Sequence, residues 1–235
     1  MKTLKVNISD FASFMGFCQF GLLNKLHLGL RKQISPSAQK GKLIHRILEE
    51  EDRLIQREMA TEAQLQDPTF DLDFTREGIT VNISRFSNDL RIFYVGRTDK
   101  VIRKSGDICI IDDKITTKPL SIIEQSFAKT DRFVPFSDKI IQLAAYCEGF
   151  QRNYSHMLKY NRIFLKVVQR DQNGKKINEY VKEYDEGLKD FLLQNLKLFE
   201  SMYFKEVEPV HHNNPNKCRK CGFFDECSWK IKDTI

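Results

Sequence analysis

Proline and glycine are sparse in this chain, six and eleven residues, and they are scattered, so no stretch reads as a linker. Internal repeats and low-complexity tracts are absent too, which excludes solenoid and array architectures. Long apolar runs are lacking: the uncharged segment 11–24 is the longest, contains Gln19, and is too short to cross a bilayer. The start MKTLKVNISDF has no apolar core followed by a small-residue cleavage site, so no secretory signal is expected. Together these absences predict one domain over residues 1–235, soluble and cytoplasmic, with no membrane partner.

What is present is enough apolar material, 41%, for a sizeable core. A formal net charge of +6 with 30% charged residues of both signs suits a surface that meets a polyanion. Six cysteines in a chain of this length and compartment point to metal ligands or buried thiols rather than a disulfide scaffold.

The segment from Gly96 to Lys114 is the most informative. Residues 92–103 and 107–115 are largely apolar and β-branched, and Ser105-Gly106 between them is a two-residue turn signal. A hairpin closed there sets Asp99 directly opposite Asp112, where Cβ atoms lie about 5 Å apart and like charges repel unless neutralised. A divalent cation neutralises them. Side chains alternate along a strand, so Lys114 falls on the face of Asp112, beside the same position. Most charged strand positions face water. Here, however, Asp112 and Lys114 follow the run Ile108-Cys109-Ile110-Ile111, apolar on both faces and therefore a buried strand.

Elsewhere Ser9 is placed to cap a short helix through Phe11, Phe14 and Met15, and a turn-prone stretch runs from Cys18 to Gly29. An amphipathic helix is expected over 38–59, with Leu43, Ile47, Leu48 and Leu54 as its stripe and His45 upon it. Strand 79–85 and the hairpin make three antiparallel strands. The segment 116–137 reads as an irregular excursion over the site. Residues 138–151 then form a helix, residues 162–169 and 176–184 a second hairpin through Asn173-Gly174, and residues 186–204 another amphipathic helix. The expected class is α/β: a mixed central β-sheet of about five strands flanked by helices.

Cys218, Cys221 and Cys227 follow the spacing C-x2-C-x5-C. A C-x-x-C turn lets two thiolates converge on one metal, and the third makes a metal site the natural reading. The fourth ligand is open between His211 or His212, which gives zinc, and a distant cysteine such as Cys18, which gives zinc or iron-sulfur chemistry. Cys109 and Cys147 sit in apolar contexts and read as buried, inert thiols. Either metal would pin residues 1–30 to residues 205–235, a restraint whose benefit grows with the length of chain enclosed.

In their order along the chain these pieces resemble the RecB-type nucleases of the PD-(D/E)XK superfamily. The likeness is to the iron-sulfur branch, which includes the CRISPR-associated adaptation nuclease, the AddB nuclease domain and exonuclease V. Cys18 in FCQFGLLNK resembles the lone N-terminal cluster cysteine, and GKLIHRILE with Gly41 and His45 resembles the helical histidine motif. GRTDKV with Asp99 resembles motif I, IIDDK with Asp112 and Lys114 resembles motif II, and IIQLAAY with Gln142 and Tyr146 resembles the Q-x-x-x-Y motif. Asp113 departs from the family, which has an aromatic or small residue between acid and lysine.

The resemblance implies a restriction-endonuclease-like core with a cysteine-ligated cluster joining the two termini. Asp99, Asp112, His45 and the backbone carbonyl of Asp113 would hold Mg2+ or Mn2+. Lys114, Gln142 and Tyr146 would serve catalysis, and Cys18, Cys218, Cys221 and Cys227 would hold a 4Fe-4S cluster. The implied activity is a metal-dependent deoxyribonuclease, an exonuclease on single-stranded DNA or DNA ends. Basic residues such as Lys217, Arg219 and Lys220 are candidate phosphate contacts, and CRISPR adaptation, repair or viral DNA processing are candidate settings for protein partners. The competing reading is a catalytically silent DNA-binding or assembly module of the same fold.

Overall fold

The computed structural model describes residues 2–16, 18–29, 39, 43, 61–73, 79–115, 137–210, 218 and 227. His45, most of the expected helix over 38–59, nearly all of the excursion at 116–136, His211, His212, Lys217, Arg219, Lys220 and Cys221 lie outside these residues.

Two sheets, rather than the one expected, carry the fold. Strands β1 (Lys2–Asn7), β3 (Thr80–Ser87) and β4 (Leu90–Arg97) form the first, in the order β1-β4-β3. Strands β2 (Leu72–Asp73), β5 (Lys100–Lys104), β6 (Asp107–Ile115), β7 (Ile163–Arg170) and β8 (Lys176–Glu183) form the second, in the order β2-β5-β6-β7-β8. Both sheets are mixed: β1 runs parallel to β4 and β6 parallel to β7, while the remaining pairs are antiparallel.

The single strand expected over 92–103 is broken at Thr98 and Asp99, so its halves belong to different sheets. Thr98 enforces the break. It is 2% exposed, its backbone N–H donates to Ile79 O at 3.0 Å, and its hydroxyl accepts from Ile79 N at 3.1 Å. These bonds hold Thr98 against residue 79 instead of a continuing ladder.

The helices that lie whole among the described residues are α1 (Ile8–Gly16), α2 (Gln19–Leu28), α3 (Glu62–Gln66), α4 (Ser137–Tyr154) and α5 (Glu186–Tyr203). Ser9 lies inside α1 rather than capping it. The segment read as turn-prone is helical: α2 follows Cys18 in extended conformation and ends at Gly29, whose φ of 66° supplies a left-handed C-cap. Gln39 and Leu43 are helical, but Leu43 is 56% exposed rather than part of a buried stripe.

Helix α4 is buried continuously from Ile141 to Phe150, so it is a central helix rather than an amphipathic one. It packs on α1, β3, β6, β7 and α5, which places it between the two sheets. Gly149 makes the close approach to β3, since a Cβ there would lie 2.9 Å from Val81 Cβ. Around it Phe11, Phe14, Tyr94 and Phe199 join edge to face, with centroids 5.2 to 5.8 Å apart. On the second sheet the fully buried Arg103 reaches the backbone carbonyls of Gln64, Leu65, Phe70 and Lys159, clamping α3 and the turn before β7 onto β5. Among the described residues no helix is long and apolar enough to cross a membrane.

Candidate active site

The β5-β6 turn is the one the sequence signals. Ser105 and Gly106 both take positive φ, 50° and 83°, as a two-residue type I′ turn requires. The register follows: Lys104 pairs with Asp107, Val101 with Ile110 and Lys100 with Ile111. The ladder ends one residue short of Asp99, which lies near enough to Asp112 to feel its charge. Asp99 Oδ2 accepts a hydrogen bond from the Asp113 backbone N–H at 3.3 Å.

Asp112 is 1% exposed. Lys114 Nζ donates to its Oδ1 at 2.8 Å and lies 2.7 Å from Oδ2. Oδ2 is nonetheless buried and accepts no hydrogen bond of good geometry among the described residues. Burial, and next the charge of Asp112, push the Asp99 carboxyl up to about 7. Burial disfavours the Lys114 ammonium, but the charge and hydrogen bond of Asp112, with Asp99 and Asp138 beyond, hold its pKa above the ordinary value. Lys114 is therefore a cation at neutral pH, suited to donate rather than to abstract a proton.

Asp113 points to the other face of β6, as strand alternation requires. There Arg170 Nε donates to its Oδ1 at 2.6 Å and Lys100 Nζ lies 3.8 Å from Oδ2. Two cations thus pair with this 2% exposed carboxylate away from the site, and only its backbone is left on the Asp112 side.

Gln142 and Tyr146 stand one turn apart on α4, and Gln142 Nε2 donates to Tyr146 Oη at 3.1 Å. Burial pushes the phenol up to about 12, and the charges of Asp112 and Asp99 add to the shift, so the ring lies near both acids and stays protonated. Gly96 opens the space it occupies: a Cβ there would sit 2.5 Å from Tyr146 Cε1 and 3.2 Å from Ile8 Cβ.

Three residues escaped the sequence reading. Thr98 and Gly96, both inside GRTDKV, shape the site through contacts distant in sequence. Asp138 acts on Lys114 from the first turn of α4, where an acid reads as ordinary helix-dipole compensation.

The cysteines divide. Cys147 is fully buried and burial raises its thiol well above the usual range, while burial pushes Cys109 up to about 11; both suit inert thiols. Cys18 immediately precedes α2, and Cys218 and Cys227 are 3% and 9% exposed. The Val210 backbone N–H donates to Gln19 Oε1 at 2.6 Å, so Val210 lies beside the neighbour of Cys18. Among the described residues no three His, Cys, Asp or Glu side chains converge as a metal cage. His45 and Cys221, which would complete the two expected sets, lie outside those residues.

No family model matches the chain, and no curated protein matches it in sequence. Among solved structures it is similar to one described as the crystal structure of SSO0001, at 14% identity and a TM-score of 0.52 over 97% of this chain and 88% of that one. An alkaline exonuclease, LHK-Exo, from Laribacter hongkongensis aligns at 14% identity and a TM-score of 0.48 over 87% and 90% of the two chains. The same exonuclease in complex with dAMP aligns at 12% identity and 0.49, with the same coverage. At such identities a likeness speaks to architecture alone, and the chain has a mixed α/β fold in common with SSO0001.

Proposed function

We propose that the protein is a metal-dependent deoxyribonuclease that hydrolyses phosphodiester bonds, acting as an exonuclease on single strands or DNA ends. One observation carries this reading: among the described residues the buried Asp112 and the half-buried Asp99 lie together beside the Lys114 ammonium, and Asp112 Oδ2, though 2.7 Å from Lys114 Nζ, accepts no hydrogen bond of good geometry. Two carboxyl groups crowd one lysine where burial has removed water, and a second negative charge there is expensive. A hard divalent cation with oxygen ligands would offset that charge.

Asp99 Oδ1 or Oδ2, Asp112 Oδ2 and the Asp113 carbonyl would hold Mg2+ or Mn2+, joined by His45 as the family resemblance implies. Bound there, the ion supplies Lewis acidity and charge neutralisation at a phosphodiester. The Lys114 ammonium donates from Nζ to a phosphoryl oxygen as charge builds on it. Gln142 fixes the Tyr146 hydroxyl, which stays protonated and orients Lys114 or the DNA backbone. Burial of Asp112 and Tyr146 keeps these dipoles in a medium where they act more strongly than in water.

The test is digestion of end-labelled single-stranded and linear duplex DNA in Mn2+. Wild type should degrade both and spare closed circles, and Asp112→Asn and Lys114→Ala should each lose at least about 100-fold. No degradation by folded wild type would defeat the reading and leave a catalytically silent DNA-binding module.

A 4Fe-4S cluster on Cys18, Cys218, Cys221 and Cys227 belongs to the same proposal. The Val210 to Gln19 hydrogen bond and the burial of Cys218 and Cys227 support it. Anaerobically purified protein should be brown, and Cys18→Ala should bleach it. Colourless, zinc-containing protein whose metal content survives Cys18→Ala would instead assign zinc with His211 or His212 as fourth ligand.

A further inference from the structure

The outward face of the three-stranded sheet lies on the side opposite α4. Val81, Ile83, Ile92 and Tyr94 point inward and are fully buried. The alternate positions carry Phe86, which is 65% exposed, together with Arg91 and Phe93. The Arg91 guanidinium carbon lies 5.5 Å from the Phe86 ring centroid and 4.1 Å from that of Phe93, so the cation links the two rings in one row across two strands. Arg91 Nε donates to Ser84 Oγ at 3.0 Å, which fixes the row to β3.

Lys5 stands opposite Phe93 in the β1-β4 register, and Arg97 ends the strand. No outward position on these strands carries a carboxylate. The nearest acids in sequence are Asp89 at the hairpin tip, Asp99 two residues past Arg97, Glu77 before β3 and Asp10 in α1, and Lys25 Nζ is 2.5 Å from Asp10 Oδ2. A sheet face with an exposed phenylalanine, an arginine over its rings and cations that no described carboxylate pairs is complementary to a ligand that is polyanionic and has free π-faces. A protein partner's apolar patch would leave the cations buried without partners.

We propose that this face is a binding platform for single-stranded DNA, separate from the acidic pair: unpaired bases stack on Phe86, Arg91 and Phe93 while Lys5 and Arg97 take the phosphates. Stacking of this kind tolerates any sequence, because every base has a π-face. The strand leads onward to the site, since Arg97 is followed by Thr98 and Asp99, and six residues from Phe93 to Asp99 span at most about 20 Å. The choice of DNA as the nucleic acid rests on the proposed nuclease function; the stacking row and its charge do not.

The test is fluorescence anisotropy of labelled oligo-dT in EDTA, so that no cleavage intervenes. Phe86→Ala/Phe93→Ala should weaken binding about tenfold or more, Phe86→Tyr/Phe93→Tyr should restore it, and affinity for a duplex of equal length should change much less. Lys5→Ala and Arg97→Ala should each reduce the slope of log affinity against log salt by about 0.7. Wild-type affinity in the double alanine variant overturns the proposal, as does an equal loss on duplex. A wild-type dimer that the double variant converts to monomer, with oligo-dT affinity unchanged, also overturns it and assigns the face to a second copy of the chain. Should the double variant not fold, Phe86→Ser at the exposed position carries the same test. Because cleavage is assayed separately in Mn2+, loss of either proposal leaves the other standing.

Discussion

Replacing Asp99 with asparagine should stabilise the metal-free protein at neutral and alkaline pH. Burial and the charge of Asp112 raise the Asp99 carboxyl from an ordinary 3.8 to about 7. A folded pKa above the unfolded one means that the native state favours the protonated acid. The associated stability is fully present below pH 3.8 and is lost as pH rises through about 7. About three pKa units at 1.36 kcal/mol each make the ionised acid cost about 4 kcal/mol above pH 8. Asparagine has the shape of the neutral acid and carries no such cost. For a chain this long, 1 kcal/mol moves the melting temperature by about 2 to 4 °C, so Asp99→Asn should melt about 10 °C above wild type at pH 8 in EDTA. Near pH 4.5 the advantage should shrink to about 1 kcal/mol. Excess Mg2+ should raise wild type, by about 2.7 kcal/mol at a hundred times its dissociation constant, and raise the variant less. Calorimetry across this pH range provides the measurement. An Asp99→Asn protein that melts at or below wild type at pH 8 in EDTA would refute the argument that these acids are crowded together out of water.

Gly96→Ala should push Tyr146 aside, because the new methyl would lie 2.5 Å from its Cε1; we expect a cost of about 1 to 3 kcal/mol in urea unfolding and a fall in kcat larger than any change in KM. Arg103→Met should leave four backbone carbonyls without their buried donor and cost about 3 kcal/mol or more, with cleavage per folded molecule unchanged. Burial raises the thiols of Cys109, to about 11, and Cys147, so both stay protonated at pH 8. Native protein treated with iodoacetamide at that pH should leave these two unmodified by mass spectrometry until denaturant is added.

Much of the candidate site was legible because its cause is local. Ser105-Gly106 can take two successive positive φ values, and that turn alone fixes which residue of β5 faces which residue of β6. Asn173 and Gly174 mark the second hairpin in the same way: Gly174 has a φ of 82°, and β7 and β8 begin and end within a residue of expectation. Asp113 could be turned away from the site by alternation alone, and its ion pairs with Arg170 and Lys100 agree.

The β1 strand was missed although Leu4 and Val6 alternate in KTLKVN, because the other four of its six residues, Lys2, Thr3, Lys5 and Asn7, are polar and exposed. The break at Thr98 had no local signal either. Its residues suit a continuous strand, and only the bonds to Ile79, nineteen positions away, separate the sheets.

Turn chemistry, side-chain alternation and helical periodicity act over a few residues, so the chain itself determined the β5-β6 and β7-β8 hairpins and the β5-β6 register that brings Asp99 near Asp112. The division into two sheets, the burial that crowds those acids and the gap at Gly96 that admits Tyr146 were decided only by tertiary packing. Each depends on surfaces from separate parts of the chain competing for the same space and excluding the same water.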